Sequence, residues 1–177
     1  MADGWVCPEC GVDYGTLHPP FAINTIKSLP RRFTEALAPA SPSEDNEAII
    51  RTRPAPDVWS AIEYTAHVSD LLDKFADVLK QMFEEHNPVI DFEDPDEQVV
   101  ADKWNELPKD ALLAQLSPNA AALIAQAERV TGDAWNRKAQ FSWGERDLLT
   151  MLQNAAHEGV HHLKDVENVL KEVRSAS

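Results

Sequence analysis

Between Asn154 and Leu170 the chain reads NAAHEGVHHLKDVENVL, with three histidines and a glutamate inside the six residues His157–His162. Imidazole nitrogens and carboxylate oxygens are ligands for Zn, Ni, Mn or Fe(II), so this stretch could hold a divalent ion. Two pairs have the i,i+4 spacing that places side chains on one helix face: His157 with His161, and Glu158 with His162. The pair that faces the interior is the one that could meet a ligand from another element.

The apolar positions Leu148, Leu152, Ala155, Gly159, Leu163, Val166, Leu170 and Val173 recur every three or four residues and mark the buried seam of a helix. Glu158 and His162 lie beside that seam. The row Thr150, Asn154, His157, His161, Lys164, Asn168 is polar throughout, as a solvated face would be, so the inward pair is expected to be Glu158 and His162. His67 is the expected third ligand, since Leu71, Phe75, Val78 and Met82 extend its side of an earlier helix. Glu63, one turn before His67, could orient that imidazole. Three protein ligands from two helices would leave room for water or substrate. The competing reading is a buried hydrogen-bonded network without metal, since an inward Glu and His need only be paired.

A second group lies at the front of the chain. In CPECG, Cys7, Cys10 and Gly11 have the tight-turn spacing that lets two thiolates reach one ion, but no second cysteine pair follows. His18 could supply a third ligand, with an acidic residue, water or a second chain completing the shell. The alternatives are a redox-active Cys-x-x-Cys and a knuckle that only packs on the rest of the protein. The acidic run Asp91, Glu93, Asp94, Asp96, Glu97 lacks the spaced Gly and terminal Glu of a calcium loop and reads as a solvated loop.

These residues need helices to position them. The periodicity predicts helices over about Asn24–Leu37 (broken or kinked at Pro30), from an N-cap at Asp57 to Phe83, over Pro108–Thr131 (strained near Pro118) and over Gly144–Val173. The segment after Leu37 reads as a loop, the acidic connection near residue 95 as holding one short helix, and DAWNRKAQFSWGE as a bend or short extended piece. Nothing alternates with strand period over a useful length. Four long helices predict an all-α four-helix bundle over residues 21–177, preceded by a Cys-x-x-Cys knuckle over residues 1–20.

Composition narrows the function classes. Thirty acidic against sixteen basic residues give a net charge of −14, a field that repels phosphate backbones and anionic lipid, so neither nucleic acid nor membrane is an expected partner. No run of ~18 apolar residues and no leader pattern is visible, which leads to the expectation of a soluble, cytoplasmic protein. Two cysteines three residues apart cannot staple a secreted domain.

VWSAIEYTAHVSDLL and HEGVHHLKDV resemble the two ligand segments of the DinB-like metalloprotein superfamily, including the N-terminal domain of mycothiol-dependent maleylpyruvate isomerases. In the first, a Trp (Trp59) precedes a ligand His (His67) by two turns. The second is similar to the isomerase branch, where Glu-x-x-x-His is followed by Asp three residues later, matched by Glu158, His162 and Asp165. The resemblance spans about Asn24–Arg174 and implies a four-helix bundle, often dimeric, with zinc or nickel between helices. It further implies a metal that activates a low-molecular-weight thiol such as mycothiol or bacillithiol. The isomerases have a second, C-terminal domain with no counterpart in these residues, so isomerase activity is not carried over.

Two readings follow. In the first, the ion held by His67, Glu158 and His162 activates a thiol, which is transferred to an electrophilic small molecule. In the second, the bundle is non-enzymatic and its metal structural or sensing.

Overall fold

The computed structural model describes residues 4–176; residues 1–3 and 177, at the ends of the two expected units, lie outside them. The amphipathic repeats close into α1 (Pro19–Ala36), α3 (Ala61–Glu84), α5 (Lys109–Arg129) and α6 (Leu148–Ala176), with short helices α2 (Asn46–Arg51) and α4 (Pro95–Ala101) between them. α3 packs against α5 and α6, and α1 packs against the same two helices, so α1 and α3 face each other across the bundle. Residues 37–60 and 130–147 therefore carry the chain across the bundle rather than to a neighbouring helix. No helix among the described residues is long and apolar enough to cross a membrane.

Pro30 and Pro118 both lie inside continuous helices, contrary to the expected breaks. Each proline removes one intrahelical hydrogen bond. Ile26, Leu29 and Phe33 are fully buried around the first, and Leu116, Ala120 and Leu123 are buried around the second, so packing outweighs that loss. α1 also starts earlier than Asn24, at Pro19–Pro20, where a missing N–H costs nothing.

The helix carrying His67 begins after Ser60 rather than Asp57. Ser60 Oγ accepts from the Glu63 backbone N–H, and the Glu63 carboxylate accepts from the Ser60 N–H at 2.8 Å, a reciprocal capping box. Arg53 adds two contacts of 2.8 and 2.6 Å to the same carboxylate. Burial alone would push the Glu63 carboxyl up, but Arg53 and Ser60 together hold it below its ordinary value. Glu63 is thus committed to starting α3, and the expectation that it orients His67 is corrected.

Residues 144–147 belong to a hairpin rather than to the last helix. β1 (Lys138–Phe141) and β2 (Gly144–Asp147) pair antiparallel, with Lys138 opposite Asp147 and Phe141 opposite Gly144. Gly144, at φ +106°, accepts a turn geometry that a side chain would strain. Asp147 Oδ1 then accepts from the Thr150 N–H at 2.8 Å as α6 begins. The Gln140 N–H donates to the Pro88 carbonyl, and the Ile90 N–H donates to the Gln140 carbonyl, fastening the hairpin to the segment after α3. Phe141 and Trp143 stack at 5.1 Å and reach Phe92, which builds an aromatic wall beside the first turns of α6.

Every position of the expected α6 seam from Leu148 to Val173 is buried. Gly159 lies on it against α1: a Cβ there would stand 2.2 Å from Leu29 Cδ1. Gly159→Ala should therefore destabilise the fold even though alanine favours a helix by about 1 kcal/mol. A net loss of about 1–2 kcal/mol would lower Tm by about 2–8 °C; an unchanged or raised Tm would mean that Leu29 repacks freely.

Candidate metal centre

α3 and α6 lie side by side, and their facing surfaces bring His67 to Glu158 and His162. One ligand atom from each of the three falls within 4.8 Å of the other two. His162 Nε2 is 3.2 Å from Glu158 Oε2, and the His67 and His162 rings meet edge to face at 4.8 Å. Asp165, one turn further along α6, holds the other ring nitrogen of His162 at 2.9 Å. That contact fixes the imidazole with Nε2 turned toward Glu158, as partners of metal-binding histidines commonly do. Tyr64 stacks on His162 at 5.5 Å, while Trp59 and Trp104 flank His67 at 5.2 and 5.7 Å.

Electrostatics sort the three groups. Burial, reinforced by the nearby His162, pushes His67 down to about 3, so it is a neutral imidazole at ordinary pH. Its buried Nδ1 has no hydrogen-bond partner. Burial opposes the charge on His162 too, but Asp165 and Glu158 outweigh it and raise the group to about 9. Burial would raise Glu158, and its two histidine neighbours more than reverse this, keeping it ionised far below the usual carboxylate range. A neutral imidazole with an orphaned nitrogen, an ionised carboxylate and a second, oriented imidazole make a donor set that fits a divalent ion with a position left over.

That position has somewhere to lead. A cleft of about 310 Å³ opens over His67 and Glu158, walled by Leu71, Phe75, Phe92, Trp143 and Met151, with Lys74 and Asn154 at its polar edges. Lys74 is tied to Asp70 and Gln98, both at 2.9 Å, so it edges the cleft without projecting freely into it.

The other histidine pair is where the sequence reading fails. His157 is buried and His161 largely covered, not solvated, because the knuckle folds over that face of α6. Tyr14 Oη donates to Asn154 Oδ1 at 3.0 Å, and Gln153 donates to the Tyr14 and Leu17 carbonyls. Trp5 and Tyr14 pack on the His157 ring at 5.7 and 5.5 Å. Cys7, Cys10, His157 and His161 form a second group whose ligand atoms all lie within 4.8 Å. His18 has no place in it. That residue is exposed and occupies the position just before α1, so its expected role as a third knuckle ligand is corrected. The missed signal was two incomplete pairs, a Cys-x-x-Cys without partners and an i,i+4 His-His without a third ligand.

The ion pair of His162 has a pH consequence for the metal-free protein. Its folded value of about 9 lies above the 6.5 of an unfolded-chain histidine, so the stabilisation is complete below pH 6.5 and is lost as pH rises through about 9. Thermal melts of metal-free wild type and His162→Gln between pH 6 and 10 should show a Tm gap that is widest at the acid end and closes toward pH 10. A gap independent of pH would contradict the ion pair.

The family model of the DinB superfamily matches residues 25–166. No curated protein sequence matches the chain. Among solved structures, YfiT from Bacillus subtilis, described as a probable metal-dependent hydrolase with an unusual four-helix bundle topology, superposes with a TM-score of 0.78 at 14% identity, covering 91% of this chain and 89% of YfiT. A likeness at that identity shows a shared fold. With the family match spanning most of its length, the chain belongs to the DinB superfamily.

Proposed function

We propose that this protein is a metal-dependent enzyme in which a divalent ion held by His67, Glu158 and His162 activates a low-molecular-weight thiol for transfer to an electrophile. The observation that carries the reading is the convergence of two imidazoles and one carboxylate from α3 and α6 beneath a cleft that is apolar on most of its walls. When bound, the ion would supply a Lewis acid that lowers the pKa of a thiol or water and so provides a nucleophile at neutral pH.

The chain's own residues contribute the rest. Asp165 holds His162 in one orientation, so that Nε2 is the nitrogen presented. Trp59, Trp104 and Tyr64 pack around the two imidazoles and keep water from their outer sides. Leu71, Phe75, Phe92 and Trp143 offer an apolar surface for the organic part of an electrophile. Support for a thiol over other nucleophiles comes from the Glu158, His162, Asp165 pattern, similar to the mycothiol-dependent branch of the superfamily. Zinc is the first choice of ion and nickel the second.

A hydrolase is the second reading. Two histidines and a glutamate are also the ligand set of zinc hydrolases that activate water, and YfiT is described as a probable metal-dependent hydrolase.

Full-length protein loaded with zinc or nickel should be mixed with chlorodinitrobenzene and, in turn, mycothiol, bacillithiol and glutathione. Conjugation that depends on both thiol and metal and falls to background in His162→Ala is the expected result. Ester hydrolysis that needs metal but no thiol would favour the hydrolase instead. Asp165→Asn should weaken metal binding by about 10–100-fold while leaving the fold intact, measured by competition with a chromophoric chelator.

A further inference from the structure

The knuckle and α6 each hold half of a ligand set. CPECG turns tightly: the Gly11 N–H donates to the Cys7 carbonyl and the Cys7 N–H to the Val12 carbonyl, both at 2.9 Å, with Gly11 at φ +77°. This brings both thiols to one side of the turn, facing His157 and His161 one helical turn apart. We propose that Cys7, Cys10, His157 and His161 form a closed, four-ligand zinc site that clamps the N-terminal knuckle onto α6, separate from the centre between α3 and α6.

Geometry supports this first. Cys7 Sγ lies 3.6 Å from His161 Nδ1, and the four ligand atoms fall within 4.8 Å of one another. Zn–S and Zn–N bonds of about 2.3 and 2.0 Å at tetrahedral angles require ligand–ligand separations of about 3.3–3.8 Å, so small side-chain adjustments close the shell.

The second observation is an unmet need. Both ring nitrogens of His157 are buried and without a hydrogen bond; its Nδ1 is 3.5 Å from Glu158 Oε1, an ion-pair distance only. A buried imidazole left without hydrogen bonds is destabilising, and a metal bond to one nitrogen removes part of that. A Cys7–Cys10 disulfide would leave His157 as it is.

The surroundings also fit a metal. His161 Nε2, the nitrogen turned away from the thiols, is 3.3 Å from Glu9 Oε2 and 3.8 Å from Asp165 Oδ2, the carboxylate support usual for a ligating histidine. Burial opposes a Cys7 thiolate, but the backbone N–H groups of Cys10 and Glu9 and the two imidazoles outweigh it and favour the charged form. Binding would displace the two thiol protons to solvent, with no change of oxidation state. Two thiolates, two neutral imidazoles and Zn²⁺ sum to zero charge, which suits a site buried under Trp5 and Tyr14. Thiolate ligands select zinc over the harder divalent ions. With all four positions taken by protein, this ion would be structural, holding residues 5–17 over α6.

The inference does not depend on the thiol-transfer reading, because the two ions can be told apart by sulfur. Full-length protein refilled with cobalt should bind two ions per chain. One should give a sulfur-to-cobalt charge-transfer band and the intense visible bands of a tetrahedral centre. His161→Ala should lose those bands and one ion; His162→Ala should keep the bands and lose the other ion; His18→Ala should change neither. Absence of a sulfur band from wild type, or its survival in both His157→Ala and His161→Ala, would overturn the assignment. Since knuckle variants can misfold, wild-type zinc protein should also be titrated with a thiol-specific reagent in the presence of a zinc-sensing dye. One zinc released per two thiols modified is expected; modification of both thiols without release would refute the site.

Discussion

A carboxylate on the inner side of α6 sets the terms for what surrounds it. Glu158 lies next to Gly159, where the Leu29 side chain of α1 leaves no room for a Cβ, and an ion in that position is costly unless partnered. His162 stands below it on the same helix row, His157 adjoins it on the other side, and His67 comes across from α3. His162 can serve only because Asp165 holds its other face. His67 stays neutral because Trp59 and Trp104 keep it dry. Consecutive residues of one helix thus do different jobs: His157 meets the knuckle, Glu158 the cleft and Gly159 the core.

Much of this was legible in one dimension. The three-and-four spacing from Leu148 to Val173 identified the buried seam of α6, and from it the inward direction of Glu158 and His162 follows by helical geometry alone. His67 followed from the same logic on α3. What misled were the local rules that packing overrides. Pro30 ought to interrupt α1, yet fully buried Ile26, Leu29 and Phe33 keep the helix unbroken through it. Asp57 looked like the cap of α3, but the S-x-x-E of Ser60 and Glu63 satisfies two backbone donors at once and takes the role.

The larger miss concerns distance along the chain. His157 and His161 sit on a row whose every member is polar, and a helix considered alone gives no reason to bury them. Their cover comes from residues about 140 positions earlier, with Tyr14 reaching Asn154 and Cys7 reaching His161. Periodicity reports which face of a helix is polar; it does not report whether another polar segment lies over that face. Fold and chemistry also separate here. At 14% identity YfiT shares the bundle because the seam asks only for apolar residues at the right spacing, while the site must be argued from its own side chains.

The proposed chemistry depends on a metal bound between α3 and α6. The most direct measurement is a crystal structure of the zinc-loaded full chain with anomalous data collected across the zinc edge. An anomalous peak about 2.0–2.2 Å from a nitrogen of His67, a nitrogen of His162 and an oxygen of Glu158, with its remaining position open to the cleft, is the expected result. A zinc-replete crystal with no peak between α3 and α6, or with a peak whose shell is filled entirely by protein, would contradict it.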